Sequence, residues 1–165
     1  LENTYLRHFG EYVVRQCSKD DLQAVISINW ATLPEHYSDF FFEELLRSSP
    51  EAFLVAQHGS QIVGYVMCRI EYGFSSVNRF GFARKGHIVS VAVLEQHRRK
   101  RLGTCLVQQA IEGMKRRGCS EAYLEVRTSN QPGIKLYEEL GFRITSRMET
   151  YYRDGEAAYL MSKSL

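Results

Sequence analysis

The sequence predicts a layered α/β fold in which strands and helices mix around a central sheet. Three observations carry that expectation. First, residues 88–94 form an apolar run rich in Val and Ile, too short to span a membrane, which predicts a buried strand. Second, a basic turn follows, His97-Arg98-Arg99-Lys100-Arg101, and then Leu102, Leu106, Val107, Ala110, Ile111 and Met114 recur at helical spacing before another strand at 122–127. A strand–turn–helix–strand unit of this kind makes its two strands parallel neighbours. Third, the 165 residues are 44% hydrophobic, 24% charged and 12% aromatic, as in a globular chain with a full core. One domain over residues 1–165 is expected.

In chain order, the first strand is predicted at 11–17. Ser18 then caps a helix with Asp20 and Asp21 in its first turn. Leu22, Val25, Ile26 and Ile28-Asn29 carry that helix toward Trp30, and Pro34 stops it or opens the next turn. Leu33-Pro34-Glu35-His36-Tyr37 is read as a loop, and Ser38 as the cap of a second helix over 39–47. Its Phe41, Phe42, Leu45 and Leu46 form a buried face, with one or two of Phe40, Phe41 and Phe42 left to face a substrate. Residues 52–57 and 61–70 read as a hairpin around His58-Gly59-Ser60. Residues 73–84 show no period and read as a mobile loop, either a connector or a lid, whose Phe74, Phe80 and Phe82 need something to pack on. Ser129-Asn130-Gln131-Pro132 starts a helix that runs to about Leu140 and ends at Gly141. Strands at 142–153 and 157–161 close the chain around a turn at Asp154-Gly155.

The formal net charge is +2 and the isoelectric point about 8.4, too weakly basic for a dedicated nucleic-acid binder. No signal peptide, membrane span or lipidation motif is visible, so no membrane partner and a cytoplasmic location are expected. The four cysteines, Cys17, Cys68, Cys105 and Cys119, are widely spaced within apolar patterns. They form no zinc-type pair and read as buried thiols of a reducing compartment.

The basic turn carries the chemistry. A helix N-terminus has unpartnered N–H groups and a partial positive charge, so it binds anions. Four Arg and Lys side chains there suit a diphosphate, and Gly103 lets a ligand approach the backbone. A bare basic pentamer would otherwise read as a nucleic-acid patch or a solvated charge run. Its position between a buried strand and an amphipathic helix favours the anion site.

At these residues the chain resembles the GNAT acetyltransferases. Their acetyl-CoA motif, Arg/Gln-x-x-Gly-x-Gly/Ala, maps onto Arg98-Arg99-Lys100-Arg101-Leu102-Gly103, with Arg101 in place of the central Gly. Within that family the chain is most similar to the archaeal and eukaryotic N-terminal acetyltransferases of the A-type catalytic subunit. Further matches are Leu33-Pro34-Glu35-His36-Tyr37, Gly86-His87-Ile88-Val89-Ser90-Val91-Ala92-Val93, Leu124-Glu125-Val126-Arg127, Ser129-Asn130 with Leu136-Tyr137, and Tyr151-Tyr152 with Asp154-Gly155-Glu156. The resemblance implies a seven-stranded mixed sheet flanked by about four helices, its fourth and fifth strands splayed to admit pantetheine. It also implies acetyl transfer from acetyl-CoA to a protein N-terminus in a ternary complex.

The same resemblance assigns cofactor contacts to strand residues Val91, Ala92 and Val93, which would pair with pantetheine as an added strand. It assigns the diphosphate to Arg98, Arg99, Lys100, Arg101, Leu102, Gly103 and Thr104. Asn130, Lys135, Leu136 and Tyr137 complete that set, with Tyr137 as acid to the departing sulfur. Arg101 is expected in the first helical turn with its side chain turned outward toward a phosphate. Glu35, His87 and Glu125 are the candidate bases. Alternation along 122–127 places Tyr123, Glu125 and Arg127 opposite the apolar Ala122, Leu124 and Val126, so His87 and Glu125 could share a face and hold a proton-relaying water. Two such ligands make a poor zinc site, and no metal is expected. Leu33, Glu35, Tyr37, Val91, Glu125, Tyr151 and Tyr152 are the expected substrate contacts.

An N-terminal acetyltransferase acting as a monomer, with an auxiliary subunit or the ribosome as further partner, is thus the leading expectation. Within the same enzyme class, the acceptor could instead be one ribosomal protein's N-terminus, a lysine or a polyamine. A CoA-binding or partner-binding module without turnover is the alternative from another class, and Arg101 is the feature that favours it.

Overall fold

A computed structural model describes residues 7–78 and 81–165. Strands β1 (Arg7–Phe9) and β2 (Tyr12–Gln16) open the chain, followed by helices α1 (Leu22–Thr32) and α2 (Asp39–Ser48). Then come β3 (Phe53–His58), β4 (Gln61–Phe74), β5 (Phe82–Val93), α3 (Leu102–Arg116), β6 (Glu121–Arg127), α4 (Gln131–Glu139), β7 (Arg143–Met148) and β8 (Ala158–Ser164). The eight described strands form one sheet in the order β1-β2-β3-β4-β5-β6-β8-β7. Every neighbouring pair is antiparallel except β5 and β6, the two strands joined through α3. The layered α/β expectation holds, with one strand more than the seven expected. The added strand is β1, which pairs back on β2 through Gly10 at φ 59°.

Two apolar layers cover the sheet. Leu102, Leu106, Val107, Ala110, Ile111 and Met114 of α3 pack with Ile134 of α4 against one face. Leu22, Val25 and Ile28 of α1 pack with Phe42 and Leu45 of α2 against the other. Strand alternation serves both: Leu54 and Ala56 face α3, whereas Phe53 and Val55 face α1. Fully burying a side chain such as Phe42 stabilises by roughly 1.5–3 kcal/mol. Close approach is demanded at Gly113, where α3 crosses residues 50–52 and an added Cβ would overlap the Glu51 carbonyl.

Both helix starts follow from their caps. Ser18 and Asp21 exchange the reciprocal bonds of a capping box, with the Ser18 N–H donating to the Asp21 carboxylate at 2.7 Å. That turn is a short 3₁₀ segment, so α1 itself begins only at Leu22 and continues to Thr32. The Ser38 hydroxyl accepts from the Phe41 N–H at 3.2 Å and opens α2. All four cysteines are buried and free.

Three local expectations need correction. Residues 73–84 are not loop throughout: β4 runs on to Phe74 and β5 starts at Phe82, so the two ends of the segment belong to a strand hairpin. Phe74 and Phe82 pack on each other with ring centres 4.6 Å apart and planes tilted by 31° while both stay exposed, and Phe80 lies outside the described residues. Second, the strand expected at 142–153 stops at Met148, because residues 151 and 152 turn their N–H groups to the Glu156 carbonyl instead of a ladder. Third, Arg101 is not within the first helical turn. It is the residue before α3, at φ 62° and ψ 21°, in the left-handed region where glycine is at ease. No described helix is long and apolar enough to cross a membrane.

Candidate active site

The site begins as a fork in the sheet. β5 and β6 pair only at Lys85↔Glu121, Gly86↔Ala122 and His87↔Tyr123, and from there the two strands part. The β4–β5 register shifts at the same level, with Met67 opposite Ser90 and Cys68 opposite Ile88, so Val89 is a bulge. A bulge bends its strand and re-aims the side chains beyond it. Here it changes the alternation, so that His87 before it and Ser90 after it turn to the side of α1. The cleft left by the fork measures about 790 Å³ and is lined by both strands, the α1–α2 connection, α4 and the loop before β8.

One wall of the cleft is sheet. The His87 Nε2 meets the Glu125 carboxylate at 2.7 Å, with side chains 13% and 17% exposed, so the two share a face and bond directly, with no room for an intervening water. Tyr123 holds the imidazole flat, its ring stacked on His87 at 4.3 Å with 5° between planes. The Tyr123 hydroxyl donates to Glu71, and the Lys85 ammonium sits 4.5 Å from the Tyr123 ring centre. Burial, and then the Glu71 carboxylate, push the Tyr123 phenol up, so it stays a donor. The His87 Nδ1 is buried with no partner among the described residues.

The opposite wall is made of loops. Asn29, fully buried on α1, donates to the Glu35 carbonyl at 3.0 Å and to the Tyr65 hydroxyl at 3.1 Å. Tyr65 in turn bonds Ser90 at 2.7 Å, which ties the Leu33–Tyr37 stretch back to β5. The Glu35 carboxylate pairs with Arg127 at 2.7 Å. Tyr37 reaches the Val89 carbonyl at 3.4 Å, and burial pushes its phenol up to about 12. Tyr151 and Tyr152 meet edge to face at 5.0 Å on the far side.

Behind the fork, Asn130 caps α4 by accepting from the Gly133 N–H at 3.0 Å, and also lines the cleft. Tyr137, about two turns further on, faces the cleft, and burial pushes its phenol up to about 12. Arg98, Arg99, Lys100 and Arg101 are exposed beyond the end of β5, and no carboxylate pairs with them among the described residues. Arg98 Nε donates to the Val93 carbonyl at 2.9 Å, which fixes this turn to the strand. Arg99 and Arg101 both take φ 62°. A left-handed non-glycine residue costs of order 1–3 kcal/mol, a strain that clusters at ligand clamps. The N–H groups of Leu102, Gly103 and Thr104 have no partner within the helix by its geometry. An added Cβ at Gly103 would touch only the Leu136 side chain, at 3.6 Å, so this glycine is not sterically forced by the protein itself.

The cleft therefore gathers Leu33, Glu35, Tyr37, His87, Val91, Glu125, Asn130, Tyr137, Tyr151 and Tyr152 from the sequence reading. Ala92, Val93, Lys135, Leu136 and residues 98–104 lie off it. The Ala92 and Leu102 side chains belong to the core, which leaves only their backbones for a ligand. Reading the sequence missed Asn29, Ser90, Tyr65 and the role of Arg127. A polar Asn on an apolar helix face is a visible signal, but its partners lie 36 residues away at Tyr65 and six away at Glu35. Among the described residues no group of three or more His, Cys, Asp or Glu converges as a metal-ligand set.

Residues 22–142 match the acetyltransferase (GNAT) family model. An N-alpha-acetyltransferase of Sulfurisphaera tokodaii is 46% identical over 157 residues, 94% of each chain. The catalytic subunit of the N-terminal acetyltransferase A complex of Arabidopsis thaliana is 36% identical, over 92% of this chain and 77% of its own length. The solved structure of Ard1 from Thermoplasma volcanium superposes with a TM-score of 0.80 at 28% identity, covering 94% of this chain and 98% of that one.

Proposed function

The chain belongs to the GNAT acetyltransferase family, and from that premise we propose how its own residues carry out the transfer. The protein is an N-terminal acetyltransferase: it moves the acetyl group of acetyl-CoA to the free α-amine of a protein. The observation that carries the assignment of roles is the fork itself. It leaves the β5 edge beyond His87 unpaired by β6, with a polar pair at its base and a buried phenol opposite.

Acetyl-CoA supplies an acyl carbon already activated as a thioester. The free edge of Val91, Ala92 and Val93 pairs with its amide-bearing arm as an added strand would. An N–H of that edge donates to the acyl oxygen as charge develops there. The diphosphate rests on the start of α3, with the N–H groups of residues 99–104 beneath it and the guanidinium groups of Arg98 and Arg99 beside it. The site thus fits the donor through backbone and basic side chains, without a metal.

The acceptor enters between the loop wall and the sheet wall. Tyr37, Tyr151 and Tyr152 bond the backbone of its first residues, and Leu33 contacts the first side chain. An α-amine has a pKa of about 7.7–8.0, so an appreciable neutral fraction exists near neutral pH and a modest base suffices. Glu35 is one route for the proton and the His87–Glu125 pair the other. Tyr137 faces the departing sulfur. Its phenol, raised to about 12, holds its proton at neutral pH. A thiol ionises near 8.5, so complete transfer from that phenol is uphill, and Tyr137 stabilises the thiolate by donating a hydrogen bond.

Further parts of the reading are that residues 1–165 act as one acetyltransferase domain, as a monomer in the cytoplasm, with an auxiliary subunit or the ribosome delivering the nascent chain. The test of the core reading is direct. The protein is incubated with acetyl-CoA and short peptides starting with Ser or Met, and the acetyl group is sought by mass on the α-amine. Acetyl-CoA binding without any product would instead favour a module that holds CoA and does not turn over.

A further inference from the structure

Arg127, on the same strand face as Glu125, is the most connected cation at the cleft. One guanidinium nitrogen donates to Glu35 at 2.7 Å, and the other donates to Asp154 at 2.7 Å and to Glu156 at 3.0 Å. Its guanidinium carbon lies over the Tyr152 ring, 4.0 Å from the ring centre. The Arg127 side chain is 23% exposed and Glu35 and Glu156 are half-buried, so those two are not loose surface pairs, whereas Asp154 pairs from the exposed rim. Burial works against the cation, but Glu35, Glu156 and Asp154 outweigh it and raise its pKa.

The three carboxylates come from two separate segments. Glu35 belongs to the connection between α1 and α2, whereas Asp154 and Glu156 belong to the loop before β8. The second segment is fixed without Arg127. The Ser129 N–H donates to Glu156 at 2.9 Å, the Thr128 N–H to the Ala157 carbonyl at 3.1 Å, and the Glu156 N–H to Asp154 at 3.1 Å. Glu156 is held at about 2, first by Ser129 and then by Arg127. The first segment is tied at its backbone by Asn29, but the Glu35 carboxylate bonds only Arg127 among the described residues. Glu35–Arg127 is therefore the ion pair that joins the two halves of the loop wall, again among the described residues.

We propose that Arg127 is the positioning residue of the peptide mouth: a latch, seated on the β8-side loop, that draws the α1–α2 loop and its Glu35 across the cleft. The proposal rests on reading this cleft as the peptide site. Arginine is required because its planar fork serves carboxylates in different directions at once while its charge stays over Tyr152, which a single lysine ammonium cannot reproduce. Without the cation, three carboxylates face one another and the wall opens. The sheet wall and the donor edge are built from other contacts and do not depend on it.

The test uses Arg127→Gln and Arg127→Lys in the full chain, with three readouts. Peptide KM should rise about tenfold in Arg127→Gln while kcat changes less, as expected when positioning is lost and the reacting groups remain. The Kd for acetyl-CoA should be unchanged. Amide hydrogen exchange should accelerate at residues 33–37 and stay at its original rate in α3. Arg127→Lys should fall between wild type and Arg127→Gln, and it carries the same readouts should Arg127→Gln fail to fold, as lost acetyl-CoA binding would report. Adding Glu35→Gln to Arg127→Gln should raise peptide KM no further, because both act through one contact. Unchanged exchange at 33–37, or KM effects that multiply independently, would overturn the latch. Exchange reads the latch even if no peptide is turned over, so its failure and that of the acetyltransferase reading stay distinct.

Discussion

The two walls of the cleft hold similar chemistry on different foundations. On the sheet side, His87 and Glu125 sit on adjacent strands, and their contact is set by the last paired rung before the fork and by the stack on Tyr123. On the loop side, Glu35 rides on a connection held by side-chain bonds: the buried Asn29 amide, the Tyr37 hydroxyl on the Val89 carbonyl, and the Arg127 guanidinium. A carboxylate on a strand is placed by the ladder that also builds the core. A carboxylate on a loop is placed by side-chain bonds that can be broken one at a time without unfolding the sheet. The sheet wall is thus suited to holding a fixed proton acceptor, and the loop wall to admitting and gripping a variable peptide.

Removing both walls' acids and bases together tests that division most severely. Glu35→Ala/His87→Ala/Glu125→Ala should lower kcat/KM by about 10²–10⁴-fold, the usual range for general base assistance, while acetyl-CoA still binds. Wild-type activity and an unchanged pH profile in that variant would make all three residues structural. Tyr137 belongs to neither wall and should matter for both. Tyr137→Phe should cut kcat by roughly 10²–10³-fold, the loss of one donor to a developing charge. The sign of its pH dependence is fixed by the raised pKa. With the phenol at about 12 it stays protonated below that value, so wild-type kcat/KM should rise as the substrate amine deprotonates near pH 8 and hold to about pH 10. A fall in activity beginning below pH 9 would mean that Tyr137 ionises too early for this role.

Taking the walls singly sharpens the comparison. Glu35→Ala and His87→Ala/Glu125→Ala should each reduce the rate by only about tenfold, since the other route persists. Ser- and Met-starting peptides should respond differently to the loop-wall change and similarly to the sheet-wall change. Equal responses would remove the distinction. Arg101→Gly lies outside both walls and should have a small effect with a favourable sign. Relief of a left-handed non-glycine residue should stabilise the fold by about 1 kcal/mol, visible as a higher Tm. Acetyl-CoA affinity should stay within about tenfold, one charge-assisted hydrogen bond at most. A rate increase of orders of magnitude would show instead that Arg101 obstructs the diphosphate. The least effect is expected from chelation: added EDTA should leave the rate unchanged, and a large loss restored by zinc would refute metal-free catalysis.

Much of the scaffold was legible because its signals are local. Ser38 and Asn130 each cap the helix start they announce, Ser18 caps the 3₁₀ turn that leads into α1, and Gly141 takes the left-handed φ of 94° expected after α4. The apolar spacing of Leu102, Leu106, Ala110 and Met114 fixed the face of α3 that reaches the sheet. The same alternation that put Glu125 opposite Leu124 put it beside His87. Matching motifs then pointed to the family, the donor and the residues of the cleft.

Tertiary structure alone decided how those residues meet. The bulge at Val89 appears only when β5 is laid against β4, yet it sets which side chains beyond it face the cleft. The left-handed backbone at Arg101 follows from the turn between β5 and α3, not from a preference of arginine. Asn29 and Arg127 look unremarkable in sequence because their partners lie far along the chain, Arg127 and Glu35 being separated by 92 residues. Local periodicity reports whether a side chain points into the core. It cannot report which distant carboxylate a buried amide or guanidinium will find, because that depends on loop closure over the finished sheet, where ion pairing outweighs the desolvation of the groups it brings together.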